Sequence, residues 1–153
     1  MSGIKDSNPR SEDELPTVHA TEHFLWEEFY CASTNMLKMN DLTLHHIDKL
    51  ENLRLAFGGP LRVNSGYRSP AHNKSVGGAE RSMHLEFATD LRPLRLKNET
   101  SDLIDKLSIL NTLAIELNFT GIGRYDQFIH LDCRDFIGRQ SARWDHRSKE
   151  WRQ

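Results

Sequence analysis

Two cysteines in 153 residues are too few for a disulfide framework, which excludes the small stapled scaffolds of secreted domains. Cys31 and Cys133 sit in or beside apolar segments and read as buried free thiols. No apolar run approaches the roughly 18 residues that a membrane span requires. Neither sign of charge dominates: 20 Lys and Arg against 22 Asp and Glu leave a formal net charge of -2. That removes the main argument for a nucleic-acid or anionic-membrane partner. The stretch from Arg134 to Arg152 is locally basic and reads as a solvated surface. The first residues lack an apolar segment, so they do not read as a signal peptide. They are polar, with Pro9 and Pro16, and residues 1–20 are expected to form a flexible leader. Residues 21–153 are expected to form one domain, long enough for a real core.

What is present reads as helices grouped around short strands. Thr21 to Phe29 mixes aromatics and acids at helical spacing, with Thr17 or Thr21 as cap and packing as the role of its aromatics. Asp41 to Phe57 predicts a helix: Leu44, Ile47, Leu50 and Leu53 recur at three- and four-residue steps. Asp41 or Thr43 suits its start, and Gly58-Gly59-Pro60 stops it. His45 and His46 read as surface residues of that helix. Leu61 to Ser65 alternates like a strand, and Ser69-Pro70 opens a short helix. Ala88 to Leu91 reads as a strand. Asn98 to Asn118 predicts a second long helix with Leu103, Leu107, Leu110 and Ala114 in its apolar stripe and Thr100 or Ser101 at its cap. Gly121 to Tyr125 and Phe128 to Asp132 read as a hairpin turning at Asp126-Gln127. The expected class is α+β, a small antiparallel sheet flanked by helices. Gly121-x-Gly123 lacks a third glycine and a following helix, so it is not a dinucleotide motif.

Three residues carry candidate chemistry. His84 and Asp90 lie six apart, and His130 follows forty residues on. Two imidazoles and a carboxylate are a common ligand set for a catalytic zinc, which keeps a fourth position open. Spacing alone is weak evidence in a chain with eight histidines.

The surrounding residues add a resemblance. Val63-Asn64-Ser65-Gly66-Tyr67-Arg68-Ser69-Pro70, then Asn73, Val76-Gly77-Gly78-Ala79, Ser82-x-His84 and Ala88-x-Asp90 resemble the Hedgehog/DD-peptidase family of zinc peptidases. Gly121 to Tyr125, Phe128 to Asp132 and Ala142-Arg143-Trp144 are similar to that family's closing segment, and Phe24 to Phe29 to its lead-in. The family includes D-Ala-D-Ala carboxypeptidases, murein endopeptidases and phage L-alanyl-D-glutamate endolysins.

The resemblance implies a Hedgehog/DD-peptidase-like fold with Zn2+ held by His84, Asp90 and His130. It implies that Arg68 lines the site and holds a substrate carboxylate or carbonyl, and that Ser82 orients the site or meets substrate. It implies hydrolysis of stem peptides in bacterial peptidoglycan by an endolysin-like or virion-associated enzyme, reaching the wall after lysis or in a phage particle. The alternative is a catalytically inactive member that keeps the fold as a binding or structural module. Two departures bear on this choice. The His84-to-Asp90 segment is one residue shorter than the family pattern, so His84 must lie on irregular backbone if both are to bind one ion. Gln127 and Phe128 stand where many members carry a glutamate or a histidine, and Gln127 cannot take a proton at neutral pH. Asp132, from a His-x-Asp ending like that of the murein endopeptidases, becomes the expected base or the partner of His130, with Asp126 and Glu86 as further candidates.

Overall fold

The computed structural model describes residues 18–152. Five strands form one sheet: β1 (Leu61–Ser65), β2 (Thr89–Pro93), β3 (Gly121–Arg124), β4 (Ile129–Asp132) and β5 (Ala142–Asp145), in the order β1-β2-β4-β3-β5. The first four pair antiparallel, and β5 joins β3 in parallel at the edge. The α+β expectation holds, with this parallel edge as an addition to the expected antiparallel sheet. It arises because the chain leaves β4 through a single 3-10 turn at Arg134–Ile137 and returns past β3.

Side chains alternate across a sheet, and the alternation separates core from site. Leu91, Ile129, Leu131 and Ile122 are buried, and with Thr89 they occupy the face covered by helix. Helix α3 (Ser101–Glu116) packs on β2, β3 and β4, and helix α1 (Asp41–Phe57) packs on α3. Asp90 and His130 are direct cross-strand partners, so they stand side by side on the opposite face. A bulge between Val63 and Ser65 bends β1 where Ser65 pairs with Asp90. A short helix, α2 (Pro70–Ser75), follows β1, with Pro70 at its first position as expected.

The buried face of α1 carries Leu42, His46, Ile47, Leu50 and Leu53, while Leu44 faces solvent. The expected stripe is therefore displaced by two residues at its start, and it draws His46 inward. His46 is fully buried and not a surface residue. The helix is capped by Asn40 instead of Asp41 or Thr43: the Asn40 side chain accepts from the Thr43 N–H at 3.0 Å. Thr43 uses its hydroxyl on the Lys38 carbonyl instead, at 2.6 Å. Gly58 ends the helix at φ 75°, the left-handed conformation that glycine adopts at little cost. At α3 the N-cap residue is Thr100, as expected, but its side chain makes no capping bond; Asn98 supplies the acceptor, its side-chain oxygen taking the N–H groups of Thr100 and Ser101, each at 2.8 Å.

The N-terminal aromatic segment forms only a 3-10 turn at Trp26–Phe29. Thr21 does not cap it; its hydroxyl donates to Glu51 on α1 at 2.6 Å. Phe24 and Phe29 are buried and act as packing. Residues 1–17 of the expected leader lie outside the described residues. Of the remainder, His19 bridges to Leu25 and Ala20 packs against the core. No described helix is long and apolar enough to cross a membrane. Cys31 and Cys133 are both buried and unpaired.

Candidate metal centre and its cleft

His84 lies on a 3-10 turn, Met83–Leu85, and not on a strand. Ser82 starts that turn by accepting from the His84 N–H at 3.2 Å. The chain then crosses irregular backbone to β2, where Asp90 sits. That arrangement absorbs the short spacing. His84 Nε2 comes to 3.2 Å from Asp90 Oδ1, and His130 Nδ1 comes to 3.1 Å from the same oxygen. All three residues are buried, and their ligand atoms lie within 4.8 Å of one another.

The outer nitrogens decide what the inner ones can do. His84 Nδ1 is 2.7 Å from the Gly66 carbonyl, which can only accept, so this nitrogen carries the proton. His130 Nε2 is 2.7 Å from Asp132 Oδ2 and donates to it. In the neutral imidazoles the inward nitrogens are therefore lone pairs. They face a carboxylate that is also an acceptor. Three unprotonated acceptors converging in a buried pocket fit a cation, and the donor set fits zinc. Without one, the pocket favours charge in another way. Burial works against a charged His130, yet its bonds to Asp132 and Asp90 win and raise its pKa. Burial also opposes the Asp90 carboxylate, and the two histidines overcome it and hold Asp90 far below the usual carboxylate range.

Two glycines make the geometry possible. A side chain at Gly66 would stand 2.6 Å from the Phe29 carbonyl oxygen, so only glycine lets this loop lie against that backbone and present its carbonyl to His84. A side chain at Gly121, opposite Asp132 in the β3–β4 pairing, would occupy the space of the Asp132 carboxylate.

Asp132 is completely buried. Beyond His130 it takes the Arg134 guanidinium on both oxygens, at 2.9 and 2.8 Å, and the Arg134 N–H at 3.1 Å. Burial alone would raise its pKa; the hydrogen bonds from His130 and Arg134 reverse this and drive it well below the ordinary range. Such a carboxylate holds and orients an imidazole and is a poor proton acceptor. Of the two roles expected for Asp132, base or partner of His130, these contacts support the partner role. The other carboxylates considered are held elsewhere: Glu86 pairs with Lys38 at 2.8 Å, and Asp126 accepts from the Ser148 N–H at 2.7 Å. Gln127 is exposed at the hairpin turn.

Arg68 lies at the edge of the cluster, 3.8 Å from Asp90 Oδ2. Ser65 Oγ and Asn73 Oδ1 hold its guanidinium at 3.3 and 3.2 Å, and its backbone N–H donates to the His84 carbonyl at 2.8 Å. Asn73, buried, donates in turn to the Ala79 carbonyl at 2.9 Å. Ser82 caps the His84 turn and also borders the cleft.

An open cleft of about 380 Å³ leads to His130 between Ser82, Tyr125, Trp144 and His146. Trp144 packs on His130 with ring centres 5.1 Å apart, and its Nε1 donates to the Tyr125 hydroxyl at 2.9 Å. Arg134 lies over the other part of this wall, 5.2 Å from the Trp144 ring. Sequence reasoning missed the parts played by Gly66, Arg134, Tyr125 and His146. For Arg134 the one available signal was its place two residues after an aspartate, a weak pattern by itself. Beneath the sheet, His46 Nε2 bonds Thr89 Oγ1 at 3.0 Å, while its Nδ1 is buried without a partner among the described residues.

Residues 22–132 match the family model described as Peptidase M15. The matched stretch runs from the N-terminal segment through the whole acceptor cluster to Asp132. No curated protein matches the chain. The match spans well over half of the sequence and agrees with the resemblance to Hedgehog/DD-peptidase-fold zinc peptidases and with the α+β architecture that carries the cluster. The chain belongs to the peptidase M15 family.

Proposed function

We propose that the chain is a zinc peptidase that hydrolyses peptide bonds in the stem peptides of bacterial peptidoglycan. The observation that carries the metal-dependent reading is the convergence of three buried ligand atoms, His84 Nε2, Asp90 Oδ1 and His130 Nδ1, beside an open cleft that His130 lines. The wall substrate is supported by the murein-peptidase motifs of the sequence, the Ser-Gly-Tyr-Arg-Ser-Pro loop and the His-x-Asp ending. These motifs suggest an endolysin or a virion-associated lytic enzyme, which meets the wall after lysis or from a phage particle.

His84, Asp90 and His130 would hold the zinc. Zinc held there supplies Lewis acidity, which polarises an amide carbonyl and lets water ionise near neutral pH. Asp132 keeps the proton of His130 on the outer nitrogen, so the inner one stays a ligand. Arg68 is fixed by Ser65 and Asn73 and offers its remaining N–H groups to the substrate oxygen as negative charge grows there. Ser82 holds the His84 turn. With Asp132 saturated, proton transfer falls to His146, the imidazole that borders the cleft outside the acceptor cluster.

Purified cell wall incubated with the zinc-loaded protein should release new amino termini, and Arg68→Ala and His84→Ala should not. His146→Gln should lower kcat by about a hundredfold or more while zinc affinity stays unchanged. Full zinc occupancy without new termini, from walls or from synthetic stem peptides, would defeat the peptidase reading in favour of a binding module.

A further inference from the structure

Strand β5 is an edge of the sheet, and no strand among the described residues pairs with its outer side. It pairs with β3 alone, in parallel and without a bulge. Along a strand, the backbone groups of successive residues point to alternate sides. The N–H groups of Ala142 and His146 donate towards β3, to the carbonyls of Thr120 and Arg124 at 2.9 and 2.8 Å. The N–H and C=O groups of Arg143 and Asp145 therefore point outward, where no described residue bonds them. The chain leaves this edge clear at both ends. Before β5, Arg139 reaches inward to the Arg81 carbonyl at 2.9 Å; after it, the Ser148 N–H donates to Asp126 in the β3–β4 turn at 2.7 Å. Edges of this kind are normally blunted by proline, lysine or a bulge, and residues 140–146 carry neither proline nor lysine.

The charges on this edge fit a copy of itself. Arg143 and Asp145 are both exposed and, two residues apart, share one face of the strand. If β5 pairs antiparallel with β5 of a second copy about Trp144, Arg143 of each copy stands directly opposite Asp145 of the other. The residues brought opposite are the ones whose backbone groups point outward. Centring the pair on Arg143 would set two arginines opposite each other, and centring it on Asp145 two aspartates. Opposite charges across a strand pair stabilise it and like charges destabilise it, so the charges select the register about Trp144. Asp145 already binds the Arg147 guanidinium through both oxygens, at 2.9 Å each, and each oxygen keeps a second lone pair for another arginine. An open groove of about 290 Å³ between β5 and α3, lined by Asn111, Ile115, Arg143 and Asp145 among others, leaves room on that face for incoming side chains.

We propose that β5 is a self-association edge, through which two copies of the chain join into one continuous sheet about Trp144. Directly opposed side chains of an antiparallel pair lie on the same face, so the two metal clefts open side by side, with the Trp144 of each copy at the seam.

Sedimentation velocity of the full chain should show a monomer–dimer equilibrium in the micromolar range, as suits a small interface. Arg143→Asp places like charges opposite each other and should raise the dimer Kd by about tenfold or more. Asp145→Arg should do the same. An equimolar mixture of the two variants should dimerise again, because every aspartate then faces an arginine. Arg143 makes no side-chain hydrogen bond among the described residues, so Arg143→Asp keeps the fold and decides the matter even where loss of the Arg147 contact unfolds Asp145→Arg. In hydrogen exchange the Arg143 and Asp145 amides should gain protection as concentration rises. A monomer at every concentration, a dimer that Arg143→Asp leaves equally tight, or a mixture of folded variants that stays monomeric overturns the proposal. Protection of the Arg143 amide in the monomer also overturns it, since the edge would then be covered within one copy.

Discussion

Removing zinc should destabilise this chain by an amount that can be worked out in advance. The pocket of His84, Asp90 and His130 is already assembled by hydrogen bonds that do not involve the ion: the Gly66 carbonyl behind His84 and Asp132 behind His130. Chelation should therefore leave the fold intact and lose only the binding free energy. At free zinc a hundredfold above its Kd, that is about 2.7 kcal/mol. A chain of this size shifts its Tm by roughly 2–4 °C per kcal/mol, so the expected drop is about 5–11 °C. Calorimetry of the protein as purified, after EDTA, and after zinc is restored measures it, with metal analysis giving one zinc per chain. In Asp132→Ala the drop should shrink, because His130 loses the acceptor that fixes its proton and zinc affinity should fall about 10- to 100-fold. An unchanged Tm on chelation, together with substoichiometric metal, would show that the acceptors converge for some other reason and that the metal assignment is wrong.

His46 predicts an acid limb. Burial lowers its pKa to about 3 in the folded state, against an ordinary value of about 6.5. Between these values the unfolded chain binds a proton that the folded chain refuses, so stability falls as pH drops from about 6.5 towards 3, by up to about 5 kcal/mol. Zinc-free His46→Gln should be less stable at pH 7 but lose less between about pH 6.5 and 4 in urea titrations; parallel losses would refute the role. Gly66→Ala should cost roughly 1–3 kcal/mol, because the new methyl meets the Phe29 backbone, and should weaken zinc binding by moving the carbonyl that holds His84. Denaturant midpoints and zinc competition would register both. Arg134→Gln should lower zinc affinity without touching a ligand, since it frees Asp132 to shift away from His130; equal affinity would show that Asp132 is held well enough by its remaining bonds.

The long helices are legible because they repeat: Ile47, Leu50 and Leu53 mark α1, and Leu103, Leu107 and Leu110 mark α3. Their starts are less so, because a start depends on a single side chain. At α1 the cap is Asn40, one residue before Asp41; at α3 the cap is Thr100 as expected, but the side chain that accepts from the first N–H groups is Asn98, two residues earlier. The buried face of α1 shows a different limit. A stripe beginning at Leu42 and one beginning at Leu44 are both compatible with the sequence, and only the packing of His46 against Thr89, Phe87 and Phe119 distinguishes them. The aromatic segment near the N-terminus has helical spacing, but its hydrogen-bonding groups are used by Glu51 on α1, which leaves a single 3-10 turn. Of the cluster, residue types and order are readable. The carbonyl and carboxylate partners behind the imidazoles are much less so, since Gly66 contributes backbone and Arg134 acts through Asp132.

The short step from His84 to Asp90 bears most directly on whether the cluster can act. On a regular strand, losing one residue would turn His84 to the helix-covered face, because side chains alternate with a period of two. The chain avoids this by giving His84 no strand at all. Ser82 caps a one-turn 3-10 helix, the Arg68 N–H takes the His84 carbonyl, and the Gly66 carbonyl takes its Nδ1. Each of these bonds comes from a residue of the Ser-Gly-Tyr-Arg loop or of the turn itself, and none depends on the count of residues between His84 and Asp90. Asp90 is placed separately, by its pairing with His130 across β2 and β4. His84 and Asp90 are thus positioned by two independent devices, and the segment from Leu85 to Ala88 has only to connect them. A deletion there changes the path of the connection and leaves both ends where a bound ion would need them.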